Sequence, residues 1–226
     1  MSQSELLASH PAGVRLHAEP QLLVLQAERP LEFASTAVLG GGRRSGRTVV
    51  SLRVPESYSG DDPQRDIRQA AASFGVTADV GLMTAVPLDR RVCRVQQLAG
   101  LTAWVIATVG VVWPYAAGGR VEPGGDAAAA YDPGTINLIA LLDACMSEAA
   151  ALNLLITLTE AKTLALLEFD LRDRAGNRAS GTASDAVVVG WWPAGPAQQF
   201  GGPASAAGHA AGYAARQAVR AGLVGL

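Results

Sequence analysis

The sequence predicts an α+β fold in which helices pack on one or both sides of stacked sheets. Two observations carry this. Apolar runs of strand length recur both before and after the most apolar segment of the chain, and only two or three segments combine helical spacing with caps. The 226 residues, 49% hydrophobic and 17% charged, suffice for one sizeable core, so a single domain over 1–226 is expected. No internal repeat is visible.

In chain order, Met1 to Ala18 contains Glu5, His10, Arg15 and His17 and lacks a basic start followed by a long apolar run, so no signal peptide is expected. Leu22 to Ala27 reads as a short buried strand, and Leu31 to Leu39, with Ser35 and Thr36 inside it, as a second. Gly40 to Arg47 is turn-rich. Its glycines and three arginines would suit an anion, but no Walker pattern is present and a solvated hairpin loop is the simpler expectation. Thr48 to Val54 alternates at strand period. Asp62 and Pro63 open a helix as N-cap and first helical residue, running to about Phe74, with Gly75 closing it. Val80 to Val86, carrying Thr84, Arg90 to Gln97, and Leu101 to Val112, carrying Thr108 and Gly110, are further strands. Val95 to Gly119 has no charged residue and is long enough to span a bilayer. Its Thr, Val and Gly content, interrupted by Gln96, Gln97, Gly100 and Pro114, suits buried strands and a turn instead.

The most informative stretch follows. Asp132-Pro133-Gly134 is a turn, and Thr135 to Leu142 an apolar strand. Ser147, or Met146, opens a long helix to about Phe169, with Glu148 favoured in its first turn. Apolar residues go almost all the way round it. Ala151, Leu155, Leu158, Leu166 and Phe169 form one stripe with Lys162 in its middle; Asn153, Thr157, Glu160 and Glu168 form the opposite one. Such a helix is expected to be largely buried, so its polar residues need partners or a task. The plain alternatives are a solvated face for Glu160 and a snorkelling side chain for Lys162. Gly181 to Asp185 leads into the strand Ala186 to Val189. Thr135, Asn137, Glu160, Thr182 and Asp185 are thus the polar residues at the seams. Thr182 and Asp185 reach Thr135 only if Ala186 to Val189 runs beside the Thr135 strand. Ala194 to Ala207 reads as a surface loop and about His209 to Leu223 as a final helix with Arg216 and Arg220 on its wet side.

The net charge of −2 and the low aromatic content argue against nucleic acid. Cys93 and Cys145 lack metal or redox spacing, and His10, His17 and His209 are scattered. No metal, cofactor or membrane partner is expected, and a cytoplasmic location is.

GTINLIALLDACMSEAAALNLLITLTEAKTLALLE, followed by SGTASDAVVV, resembles the CbiZ-type adenosylcobinamide amidohydrolases. The carrying motifs are the strand start Gly134 to Asn137, the helix motif Thr157 to Leu166 and the segment Gly181 to Asp185, with weaker likeness over Ser35 to Gly42 and Val80 to Ala85. The resemblance implies hydrolysis of the amide joining aminopropanol to the corrin ring of adenosylcobinamide, giving adenosylcobyric acid for corrinoid salvage. The cobalt then belongs to the substrate. It also implies that the Gly41 loop edges a corrinoid pocket reached by Ser35, Thr84 and Thr108. The chain departs from the family's Ser-Asn pair, where Val112 and Trp113 stand; Trp113 could supply apolar contact to a corrin ring instead. A second likeness, to β-aminopeptidases and ornithine acetyltransferases, implies an αββα sandwich in which Thr135 becomes an N-terminal nucleophile after self-cleavage.

Amide hydrolysis needs a nucleophile, oxyanion donors and an acid for the leaving amine. No Ser-His-Asp signature, nucleophile elbow or zinc motif supplies them. The seam residues are the candidates: Thr135 to attack or orient water, Glu160 as general base, Lys162, Asn137 and Thr182 as donors, and Asp185 to orient them. Three functions stay open: the amidohydrolase, a corrinoid-binding protein without turnover, and an N-terminal-nucleophile peptidase or acyltransferase on other amides.

Overall fold

The computed structural model describes residues 11–119 and 134–225; the readings made for residues 1–10 and for Asp132-Pro133 lie outside them. Strands β1 (Val14–Ala18), β2 (Leu22–Ser35), β3 (Gly42–Arg53), β4 (Val80–Thr84), β5 (Val92–Leu98), β6 (Leu101–Gly110), β8 (Thr135–Leu142) and β11 (Ala186–Trp191) form one eight-stranded mixed sheet. Its order is β4-β3-β2-β11-β8-β6-β5, with β1 also on β2. The short strands β7 (Pro114–Tyr115), β9 (Cys145–Met146), β10 (Gly181–Thr182) and β12 (Ala197–Gln198) pair outside it, β10 with β7 and β12 with β9.

β2 is the pivot. Leu22 to Gln26 lies between β1 and the second half of β3, whereas Leu31 to Ser35 lies between the first half of β3 and β11. The register breaks between Gln26 and Leu31, where Pro30 offers no N–H to a ladder. Two sequence expectations change here. Leu22 to Ala27 and Leu31 to Leu39 are not separate strands but one strand, bulged. The arginine-bearing segment Gly42 to Arg47 is not a loop but the first half of β3, recruited by pairing with Leu31 to Ser35; only the turn at Gly40, where φ is +72°, and Gly41 remains. Long-range pairing overrode a loop-like composition.

The break folds the sheet onto itself, and period-two alternation then sorts every strand. Leu23, Leu25, Val49 and Leu82 of one half meet Phe33, Ile106, Ile139, Leu141 and Val188 of the other in one buried layer. The alternate residues Leu22, Val24 and Val50 lie beneath α1 (Pro63–Ser73) through Ile67 and Ala71. On the opposite outer face, Leu138, Ala140, Leu142, Val187 and Val189 support α2 (Glu148–Glu168) and α3 (Ala206–Val224). The layers run helix, sheet, sheet, helix, an α+β sandwich of the αββα kind.

The caps are those the sequence advertises. Asp62 accepts from Arg65 N at 2.9 Å, and Ser147 accepts from Ala150 N at 3.1 Å. The final helix begins at Ala206, a turn earlier than expected, because Ser205 accepts from Gly208 N at 3.0 Å. Its stripe of Ala207, Ala211, Ala215 and Ala218 is fully buried against the strands and α2, where larger side chains would hold the backbones apart.

α2 departs from expectation in its burial. It is long and apolar enough to cross a bilayer, yet half of that window is buried inside this fold. Ala151, Leu154, Leu158, Ala165 and Leu166 face the sheet and α3, while Leu152, Ile156 and Leu164 are exposed. Leu155 is only half-buried, and Thr157 of the supposed wet stripe is buried, donating to Gly201 O at 2.9 Å. An all-round apolar surface cannot say which sides find partners, and here two neighbours cover only part of it. Leu154→Ala is therefore expected to lower unfolding free energy by about 2–5 kcal/mol, and Ile156→Ala by less than about 0.5 kcal/mol, in urea titrations; equal losses would contradict this facing.

Candidate functional site

The N-terminal ends of β8 and β11 lie side by side and parallel, Asn137 opposite Ala186, and β6 flanks β8 with Gly110 opposite Thr135 and Thr108 opposite Asn137. This is the neighbourhood on which the reach of Thr182 and Asp185 depended. Thr135 and Asn137 share the face of Ile139 and Leu141, which points between the two sheet halves; Ile136 and Leu138 point towards the helices. A cleft of about 680 Å³ opens at this end of the sandwich, with Thr135, Asn137, Asp185, Ser184, Thr84 and Tyr58 on its walls.

One carboxylate ties the seam together. Asp185 Oδ1 accepts from Ile136 N at 2.8 Å and from the Thr182 hydroxyl. Its Oδ2 accepts from Thr182 N at 3.0 Å and forms an ion pair with Lys162 Nζ. The two charged side chains are only 11% and 7% exposed. Gly181 makes room for them: a Cβ there would lie 2.7 Å from Lys162 Nζ and closer still to Asp185 Oδ2.

The Thr135 hydroxyl lies 3.1 Å from both Asn137 Oδ1 and Ser184 O and donates to one or the other. Both acceptors are amide oxygens, which cannot take its proton at neutral pH. Asn137 Nδ2 donates to Met83 O at 2.7 Å, linking β8 to β4 across the sandwich. Ser184 Oγ donates to Gly134 O at 3.1 Å, and Gly134 adopts φ +144°, a backbone suited to glycine. Farther along the cleft, the Tyr58 hydroxyl donates to Asp66 Oδ2 at 2.7 Å. Burial first, then that hydrogen bond, pushes Tyr58 up to about 12, so it stays a neutral phenol.

The structure thus brings Thr135, Asn137, Lys162, Thr182 and Asp185 together. Thr84 reaches the cleft wall, its hydroxyl accepting from Val86 N at 3.1 Å. Thr108 is buried beside Asn137 with no hydrogen-bond partner for its hydroxyl among the described residues. The remaining candidates stand apart. Glu160 is exposed, roughly 200° round the helix from Lys162. Ser35 is buried at the end of β2, accepting from Ala37 N at 2.8 Å. Gly41 sits in the exposed β2–β3 turn, and Trp113 is partly exposed beneath the Arg174 guanidinium, 3.9 Å from its ring centroid; neither lines the cleft. Sequence reasoning missed Ser184, although it lies inside the Gly181 to Asp185 motif, and missed Met83, Thr36 and Tyr58, which also line the cleft. Met83 acts through a backbone oxygen, which no residue type signals.

Asp185→Ala strands the Lys162 ammonium in a buried site, whereas Lys162→Met leaves the carboxylate three other donors. Chemical denaturation is expected to show a loss of about 3–5 kcal/mol for Asp185→Ala and a clearly smaller one for Lys162→Met. A larger loss for Lys162→Met would deny Asp185 its central place.

The family described as adenosylcobinamide amidohydrolase matches residues 7–225. The adenosylcobinamide amidohydrolase of Methanosarcina mazei is 32% identical over 179 residues, covering 79% of this chain and 77% of that protein. That of Halobacterium salinarum is 34% identical over 208 residues, covering 88% and 84%. Among solved structures, a Burkholderia sp. beta-aminopeptidase is similar at a TM-score of 0.48 and 13% identity, over 94% of this chain and 84% of that one. The match along nearly the whole chain includes every motif that supplies the Asp185 cluster, and the chain belongs to the adenosylcobinamide amidohydrolase family.

Proposed function

We propose that this protein hydrolyses the amide joining aminopropanol to the corrin ring of adenosylcobinamide, releasing adenosylcobyric acid for corrinoid salvage, as a one-domain enzyme of the cytoplasm. The observation that carries this reading is the convergence of the three family motifs: Thr135 and Asn137 from the first, Lys162 from the second, and Thr182 and Asp185 from the third gather around one carboxylate, at a cleft whose wall includes Thr135, Asn137 and Asp185.

In this reading Thr135 supplies or orients the attacking oxygen. Asn137 positions it, since its amide nitrogen is engaged by Met83 O and its amide oxygen faces the Thr135 hydroxyl. Thr182 directs both its amide and its hydroxyl to Asp185, which makes it a positioning residue for that carboxylate. Lys162 meets the Asp185 charge from behind the cleft wall, which makes it a positioning residue as well. Glu160, on the outer side of α2, takes no part.

A second reading concerns how Thr135 loses its proton. Among the described residues the hydroxyl faces two amide oxygens and no base, while the Gly134 carbonyl receives the Ser184 hydroxyl and Gly134 is in a glycine-specific conformation. These observations favour self-cleavage: Thr135 Oγ attacks the Gly134 carbonyl carbon, the peptide C–N bond breaks to leave an ester, and water hydrolyses it. Thr135 then has a free α-amine as its base.

Incubation of the pure protein with adenosylcobinamide is expected to yield adenosylcobyric acid and aminopropanol by mass spectrometry; tight binding without either product would make the protein a corrinoid binder. Thr135→Ala is expected to lower turnover at least about a hundredfold and Glu160→Gln by less than about threefold. Intact-protein mass divides the two readings, because an active sample containing only full-length chain excludes self-cleavage as a requirement.

A further inference from the structure

Thr135 stands between two cavities of unequal size. Besides the large cleft, Thr135 lines a pocket of about 120 Å³ next to it, and the two share Glu56, Ala85, Gly134 and Thr135. The small pocket has a floor of Val86, Val109, Val111 and Val112. Its charged groups are Glu56 on the shared rim and Arg90, from the short 3-10 turn Leu88–Arg90. Arg90 donates to the Gly225 carbonyl, which pins it beside the end of α3. Glu56 is exposed, with no ion pair or hydrogen bond among the described residues.

An amide under attack has two unequal sides. Its acyl group must lie to one side of the nucleophile and its amine to the other. The large cleft is open enough to admit the reacting arm and part of a macrocyclic acyl group; the small pocket is not. Resting on the function proposed above, we infer that the small pocket is the leaving-amine subsite, and that Glu56 and Val112 determine which amines it accepts. The chemistry of its walls fits a short amine carrying a hydroxyl and a methyl. The Glu56 carboxylate suits the ammonium that forms as the C–N bond breaks and the nitrogen gains a proton. Arg90 can donate to the hydroxyl oxygen, and the valines cover the hydrocarbon. A bulky amine would have to displace that valine floor, whereas a bulky acyl group need not enter this pocket at all.

The test measures kcat/KM for three amides of adenosylcobyric acid, those of methylamine, aminopropanol and a phenyl-bearing amino alcohol, with wild type, Val112→Trp and Glu56→Gln. Both side chains are exposed, and a denaturation midpoint for each variant checks folding. For wild type, the phenyl-bearing amide is expected to fall at least about tenfold below the aminopropanol amide. Val112→Trp is expected to lower the aminopropanol amide at least about tenfold and the methylamide by less than about twofold. Glu56→Gln is expected to weaken inhibition by free aminopropanol about tenfold while leaving inhibition by adenosylcobyric acid unchanged. Wild-type turnover with all three amides scaled equally by the variants, or unaffected, overturns the subsite and leaves the amidohydrolase reading intact. A wild type inactive on every amide removes both.

Discussion

The Asp185 carboxylate lies where an isolated charge would be costly, and what surrounds it explains much of this end of the molecule. A buried carboxylate is tolerated when its lone pairs are filled and its charge is met. Here the donors come from different parts of the chain: Ile136 N from β8, Thr182 from β10 and Lys162 from the middle of α2. None can shift without leaving the carboxylate or the ammonium short of a partner. The seam is thereby fixed in register, in depth and in the rotation of α2. Gly181 belongs to the same arrangement, since the ion pair occupies the space that any larger residue would need.

A second constraint sets the opposite wall. The break in β2 near Pro30 lets one sheet serve as both inner layers of the sandwich, so that β4 comes to face β8. The hydrogen bond that Asn137 Nδ2 donates to Met83 O spans that gap and ties β8 to β4 at the cleft wall. Two features far apart in the chain, an irregularity near residue 30 and a strand start at residue 135, thus define one cavity.

The proposed chemistry draws on what this frame places beside Thr135. Its hydroxyl is oriented by amide oxygens, and Asp185 on the cleft wall is held from behind by the Lys162 ammonium. A preoriented oxygen suits attack on a carbonyl. The same frame divides the space around Thr135 into a large and a small cavity, an asymmetry that matches an amide with one large and one small side.

Much of this was legible in the sequence. The strand from Thr135 to Leu142, the helix capped by Ser147 and the helix capped by Asp62 follow from local rules of periodicity and capping, which depend only on neighbouring residues. The grouping of Thr135, Asn137, Lys162, Thr182 and Asp185 was legible through motif order and family likeness. The tertiary structure alone decided which charge of the Glu160–Lys162 pair turns inward, because an all-round apolar helix carries no moment to orient it and the ion pair with Asp185 breaks the tie. It alone joined Gly42 to Arg47 to the sheet and kept Ser35, Gly41 and Trp113 off the cleft wall. Strand pairing and layer stacking are set by partners far along the chain, and residue type there records only what each position tolerates.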